Sequence, residues 1–130
     1  MRKQLLVIDD DPLFIDFAGE VLATGAIDVI SAPNGKAALP LIARALPSFI
    51  ISDFEMPEMN GVELHAHLAG DPRTRDIPFF FITGSSNDAL LQYAAEHGIR
   101  VFSKYNLVSE LKALLDLLET FPPISPGASS

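Results

Sequence analysis

The chain contains no cysteine, which excludes disulfides, thiolate metal sites and cysteine nucleophiles and leaves the redox compartment unconstrained. It is also poor in basic residues. Nine lysines and arginines stand against seventeen acids, for a formal charge of −8. Binding to a phosphate backbone needs a basic footprint, so direct nucleic-acid binding is disfavoured. Long apolar runs are missing too. Met1-Arg2-Lys3-Gln4 leads into four strongly apolar residues before three aspartates, which is no signal peptide, and no stretch approaches membrane-spanning length. A cytoplasmic location is the resulting expectation. Histidine is scarce: His65 and His67 are two apart and would face different directions on a helix, so they do not make a metal pair. His97 falls near a predicted helix C-terminus, where a partly charged imidazole suits the dipole.

What remains is a soluble globular composition, 48% hydrophobic and 20% charged, over 130 residues, enough for one domain and too few for two. Five apolar strand candidates, at 4–8, 28–31, 48–52, 78–83 and 100–103, alternate with five amphipathic segments. Asp11 and Pro12 are the N-cap and first position of the first helix, with Leu13, Phe14, Phe17, Ala18, Val21 and Leu22 as its core stripe. Asn34 caps the second, whose Ala37, Ala38, Leu41, Ile42 and Ala45 face the core and whose Pro40 should kink it. The third runs over about 61–69, the fourth over 87–97 with its stop at Gly98, and the fifth over about 107–120. Phe79-Phe80-Phe81 reads as a buried central strand. Strict alternation with crossovers of this length predicts an α/β fold, a parallel sheet covered by helices on both faces. Residues 1–121 are expected to form the domain, and 122–130, rich in Pro, Ser and Gly, a disordered tail or the start of a linker.

Two of the apolar runs end in acid. Leu5-Leu6-Val7-Ile8 is followed by Asp9-Asp10-Asp11, and Phe49-Ile50-Ile51-Ser52 by Asp53. Carboxylates at the ends of parallel strands lie at the sheet edge where open α/β folds place their chemistry. If the first and third strands are neighbours, Asp9, Asp10 and Asp53 converge. Packed together they repel, and they call for a cation if they are to stay ionised. Oxygen ligands of this kind suit magnesium. Thr83 ends the fourth strand with a hydroxyl, and Lys104 follows the fifth with an ammonium. Acidic cluster, reactive carboxylate, hydroxyl and ammonium are the parts needed to take a phosphoryl group onto an aspartate. Each has a blander reading: Asp11 as a helix cap, Met56 and Met59 as loop packing, Thr83 as a strand end, Lys104 as a surface lysine.

In this order the set Asp9-Asp10, Asp53 with Met56-Pro57-x-Met59-x-Gly61, Thr83 and Lys104 resembles the bacterial two-component response-regulator receiver domain, of the chemotaxis-regulator kind. The resemblance covers about 4–119. It implies a flavodoxin-like doubly wound sheet of five parallel strands in order 2-1-3-4-5 with five helices, an order that a chemotaxis receiver itself exemplifies. It implies a phosphoacceptor at Asp53, served by a sensor histidine kinase or histidine phosphotransfer protein. Magnesium would be ligated by Asp10, Asp53 and the backbone carbonyl of Glu55, with Asp9 helping mainly through water. Thr83 would move toward the phosphoryl group, and Lys104 would pair with it. Such a domain is not an enzyme on external substrates, although receivers catalyse their own phosphoryl transfer and hydrolysis.

Two positions depart from the family pattern. Tyr105 follows Lys104 where the family has a proline joined by a cis bond. A non-proline cis bond costs roughly 2.5–4 kcal/mol, so a trans bond and a reshaped loop are expected. Three residues before the lysine, Val101 replaces a switching aromatic, and a β-branched side chain has little rotameric freedom. Phe102 points to the opposite face and cannot replace it. Tyr105 is the candidate substitute.

Leu107, Val108, Leu111, Leu114, Leu115, Leu118 and Phe121 form the fifth helix's stripe, which Leu117 widens. In the family the fourth helix, fifth strand and fifth helix form the output and dimer face. Leu114, Leu117 and Phe121 are therefore candidates to edge a partner or homodimer surface, with extra core burial the alternative. Two other functions compete. A pseudo-receiver would bind partners without phosphorylation; the intact acidic set argues against it, while Val101 and Tyr105 keep it open. A magnesium phosphatase of the haloacid dehalogenase type would use Asp9-Asp10-Asp11, but it leaves Asp53 with Met56-Pro57 unexplained.

Overall fold

A computed structural model describes residues 2–84 and 87–120. Five strands, β1 (Lys3–Ile8), β2 (Ile27–Ala32), β3 (Phe49–Ser52), β4 (Phe79–Thr83) and β5 (Val101–Ser103), alternate with five helices. The helices are α1 (Pro12–Leu22), α2 (Gly35–Arg44), α3 (Gly61–Ala69), α4 (Asp88–His97) and α5 (Leu107–Thr120). The strands pair in parallel in the order β2-β1-β3-β4-β5, as the resemblance implied. The helices α1 and α5 cover one face of the sheet and α2, α3 and α4 the other, and the order reverses beside β1.

Alternate side chains of each strand enter two separate cores. Leu5, Val7, Phe49, Ile51, Phe80, Ile82 and Phe102 meet Phe14, Ala18 and Leu22 of α1 and Leu111, Leu114 and Leu118 of α5. Leu6, Ile8, Ile50, Phe79 and Phe81 meet Ala38 and Ile42 of α2, Leu64 and Leu68 of α3, and Leu90 and Ala94 of α4. Both faces of the sheet are covered, so the strands read as continuous apolar runs. Each fully buried leucine, isoleucine or phenylalanine contributes roughly 1.5–3 kcal/mol. Phe79-Phe80-Phe81 divides between the two cores as a central strand should. Val101 and Phe102 likewise face opposite sides.

The helix starts follow local chemistry. Asp11 accepts from the Leu13 N–H at 3.0 Å, and Pro12 opens α1. Asn34 and Asn87 cap α2 and α4. Asn60 and Glu63, three residues apart in the sequence, form a reciprocal capping box at α3. Gly98 ends α4 with a left-handed φ of 66°. The helix α2 runs continuously through Pro40. Pro40 and Lys36, whose carbonyl loses its partner, are both exposed.

Three expected core positions are corrected, and one surface position. Leu13 is 77% exposed, because α1 turns Phe14, Ala18 and Leu22 inward and Leu13 lies on the far side of that stripe. Ala45 is exposed, since α2 ends at Arg44 and Ala45 is its extended C-cap. Val108 is 51% exposed, because α5 turns Leu107, Leu111, Leu114 and Leu118 toward the core and Val108 falls at the edge of that stripe. Leu114 is fully buried between α5 and the sheet, so it cannot edge a partner surface. Leu117 is half-buried, and Phe121, with the expected tail 122–130, lies outside the described residues. No helix among the described residues is long and apolar enough to cross a membrane.

Candidate phosphoacceptor site

The site is built by strand register. Ile8 stands beside Ala32 and Ser52 in the ladder, so Asp9 and Asp53 follow as neighbours one residue beyond. Both stay tied to the sheet: the Asp9 N–H donates to the Ala32 carbonyl at 3.1 Å and the Asp53 N–H to the Ile8 carbonyl at 2.9 Å. Thr83 pairs with Ser103, and the next N–H, that of Lys104, donates to the Thr83 carbonyl at 2.9 Å. Four strand ends thus deliver four functional side chains to one edge.

Between β3 and α3 the loop is shaped by its own contacts. The Gly61 N–H donates to the Phe54 carbonyl at 2.9 Å, and Met56 and Met59 pack against the α2–α3–α4 core. Methionine as loop packing is therefore the right reading. The loop and the β4 and β5 ends enclose an open cleft of about 660 Å³, lined by Asp10, Asp53, Glu55, Thr83, Gly84 and Lys104 among others.

Asp9 is fully buried at the floor, where its Oδ1 accepts from the Asp11 N–H at 2.9 Å and its Oδ2 from Lys104 Nζ at 2.5 Å. Asp53 is 8% exposed. Its Oδ1 accepts from the Phe54 N–H at 2.7 Å, and its Oδ2 faces Lys104 Nζ at 3.3 Å. The Lys104 ammonium also lies 4.5 Å from the centroid of the Phe14 ring. Thr83 is buried. Asp10 is exposed at the mouth. All six residues singled out in the sequence, Asp9, Asp10, Asp53, Glu55, Thr83 and Lys104, come together; Phe14, counted there only as core, was missed. The Lys104–Tyr105 bond is trans, and Tyr105 is 79% exposed.

Electrostatically the site lacks positive charge. Burial raises the Asp9 carboxyl above the usual aspartate range, and the bond from Lys104 opposes this without overcoming it. Asp53 is raised by burial and then by the neighbouring Asp9. Burial by itself would lower Lys104, but its bonds to Asp9 and attraction to Asp53 reverse the sign and raise it. One oxygen from each of Asp9, Asp10 and Asp53 lies within 4.8 Å of the others. At that range two carboxylates repel by roughly 3–4 kcal/mol for an effective dielectric of about 20. Hard oxygen donors this close, with one lysine among three acids, fit a divalent cation.

The histidines stay out of this site, as expected, but two of them meet elsewhere. His65 on α3 shares a 2.6 Å hydrogen bond with the Tyr93 hydroxyl on α4. His97 stacks on Tyr93 at 4.0 Å and donates from Nδ1 to the Tyr93 carbonyl at 2.8 Å. Their rings are 5.5 Å apart. Sequence spacing cannot show a pairing between two different helices.

Comparison with known proteins agrees with this geometry. The family described as response regulator receiver domain matches residues 5–116. An uncharacterized 14.6 kDa protein from Leptolyngbya boryana is 36% identical over 97 residues, 75% of this chain and 74% of that one. A probable cyclic di-GMP phosphodiesterase from Vibrio cholerae is 35% identical over 94 residues, 72% of this chain but only 21% of that protein. In fold, the Vibrio cholerae chemotaxis protein CheY4 superposes with a TM-score of 0.78 at 22% identity, covering 92% of this chain and 98% of that one. With its strand order, its strand-end acids and a family match over most of its length, the chain belongs to the response-regulator receiver domains of two-component signalling.

Proposed function

We propose that Asp53 accepts a phosphoryl group from the phosphohistidine of a sensor histidine kinase or histidine phosphotransfer protein. The observation that supports this best is the convergence of Asp9, Asp10, Asp53, Thr83 and Lys104, from four strand ends, on one cleft. An Asp53 oxygen attacks phosphorus as the phosphorus–nitrogen bond breaks. The donor imidazole leaves with the electron pair and takes up a proton. Lys104 leaves Asp53 Oδ2, the looser of its two ion pairs, for a phosphoryl oxygen while keeping Asp9. The Thr83 hydroxyl donates to a second phosphoryl oxygen. Asp10, Asp53 and the Glu55 carbonyl would hold magnesium, with Asp9 acting mainly through water; bound there, the ion neutralises charge on the transferred group. Hydrolysis returns the Asp53 carboxylate and inorganic phosphate. The domain does no chemistry on other substrates.

The proposed output face is that of α4, β5 and α5, where Leu91, Tyr105 and Val108 are 46%, 79% and 51% exposed. Homodimerisation through this face is part of the proposal, with Val108 in the place first given to Leu114. The cytoplasm is its proposed location. A second reading, partner binding without phosphorylation, is favoured by Val101, which lies half-buried against the core where a switching aromatic would stand. The family match sets the phosphatase reading aside. Incubation with magnesium and acetyl phosphate, followed by intact-mass measurement, tests the choice. A gain of one phosphoryl group that disappears in Asp53→Asn supports phosphoacceptance; no gain favours the second reading.

A further inference from the structure

We propose that Phe14 is a positioning residue for Lys104, holding its ammonium at the phosphoacceptor through the face of an aromatic ring. The inference rests on the phosphoacceptor reading for its kinetic consequence but not for its geometry. A lysine carries three N–H donors on a flexible four-carbon stem, so its charge is placed only by what surrounds it. Here Asp9 from the end of β1 takes one donor at 2.5 Å, and Asp53 from the end of β3 faces another at 3.3 Å. Phe14 from α1 supplies a third side, with Nζ 4.5 Å from the ring centroid, inside the range of a cation–π attraction.

The ring differs from the two carboxylates in a way that matters to the reaction. It attracts the cation without using a donor and without carrying a charge. When a phosphoryl oxygen arrives, the N–H donor facing Asp53 exchanges its partner while the bond to Asp9 stays, and the ring goes on confining the ammonium throughout. Phe14 is itself fixed. It is 5% exposed and packed in the core that joins α1 to α5, so it forms a rigid wall rather than a mobile contact. A leucine at this position would keep the apolar packing and lose the quadrupole. A tyrosine would keep the ring face.

The test compares wild type, Phe14→Leu and Phe14→Tyr. First, the Lys104 ε-methylene protons are assigned by NMR. In wild type they should shift upfield under the ring and show cross-peaks to the Phe14 ring protons; Phe14→Tyr should keep both, and Phe14→Leu should lose the shift. Second, phosphorylation by acetyl phosphate at saturating magnesium should slow roughly threefold to tenfold in Phe14→Leu and recover in Phe14→Tyr, with magnesium affinity unchanged in both. A wild-type lysine with no ring shift and no cross-peak overturns the proposal, even if Phe14→Leu fails to fold. So does a Phe14→Leu protein that phosphorylates at the wild-type rate, or a Phe14→Tyr protein as slow as Phe14→Leu, which would mark a packing role only. If wild type takes up no phosphoryl group at all, the functional reading fails while the NMR result still decides the contact.

Discussion

Gly61 lies so close to Asp53 that a Cβ at position 61 would stand 2.4 Å from the Asp53 carbonyl oxygen and 2.9 Å from the Phe81 ring. The obstructing atom is backbone at the proposed phosphoacceptor, which cannot yield without moving that residue. The glycine of the Met-Pro-x-Met-x-Gly run is therefore required by proximity to the site, not by a turn conformation. Gly61→Ala should destabilise the domain by roughly 1–3 kcal/mol and depress phosphorylation at Asp53. Urea unfolding checks the first part; a change within about 0.5 kcal/mol would contradict the close approach.

The buried acids of the site should cost stability when no cation is bound. Asp53 is raised above the ordinary aspartate value of 3.8, so the folded protein holds that proton to higher pH than the unfolded chain does. Its penalty is absent below about pH 3.8, grows as pH rises through the raised folded value, and is complete above it. In metal-free buffer, Asp53→Asn should melt several degrees above wild type at pH 7, and this difference should vanish toward pH 4. Equal melting temperatures at pH 7 would show that Lys104 already compensates the charge in full.

A divalent cation should reverse that penalty. Magnesium at a hundredfold excess over its dissociation constant should add about 2.7 kcal/mol, and a chelator should remove it. Asp10 is exposed at the mouth of the site. Its replacement by asparagine relieves repulsion with Asp9 and Asp53, so it should not destabilise the metal-free protein, yet it should abolish most of the magnesium effect. Thermal melts with and without magnesium make the comparison. A full magnesium response in Asp10→Asn would remove Asp10 from the ligand set.

The seam between α3 and α4 should be sensitive to acid. Burial, and then the neighbouring His97, lower the His65 imidazole below the ordinary value of 6.5. Its stabilising contribution is full above about pH 6.5 and is lost as pH falls through the lower folded value, because the unfolded chain binds the proton more readily. Tyr93→Phe removes the 2.6 Å bond to His65 and should cost about 1 kcal/mol at pH 7.5. Its cost should shrink toward pH 5. Hydrogen exchange of the α4 amides across this range reads the effect; a pH-independent cost would sink it.

Much of the fold was legible because it depends on local rules. Alternating apolar runs and amphipathic segments, Asp11-Pro12, Asn34, Asn87 and Gly98 mark where elements begin and end, and the structure places them there. The misses came from rotation and depth. Leu13 and Phe14 are adjacent apolar residues, yet one is 77% exposed and the other is 5% exposed. Which of them faces the core depends on how α1 rolls against the sheet, and both were compatible with a helical stripe. Leu114 was misjudged for the same reason, since the sequence shows an apolar stripe's width but not where its edge meets solvent.

By itself the sequence determined the chemistry available at each strand end: Asp9 and Asp10 after one apolar run, Asp53 after another, then Thr83 and Lys104. Termination of a buried strand by a polar residue is a local event, so the set and its order could be read residue by residue. Only the tertiary structure decided how those groups are shared. Lys104 bonds to Asp9, 95 positions away in the chain, more closely than to Asp53, and it lies against the face of Phe14. Such distances depend on strand register and helix roll, which arise when both faces of the sheet pack at once, and no short stretch of sequence encodes them.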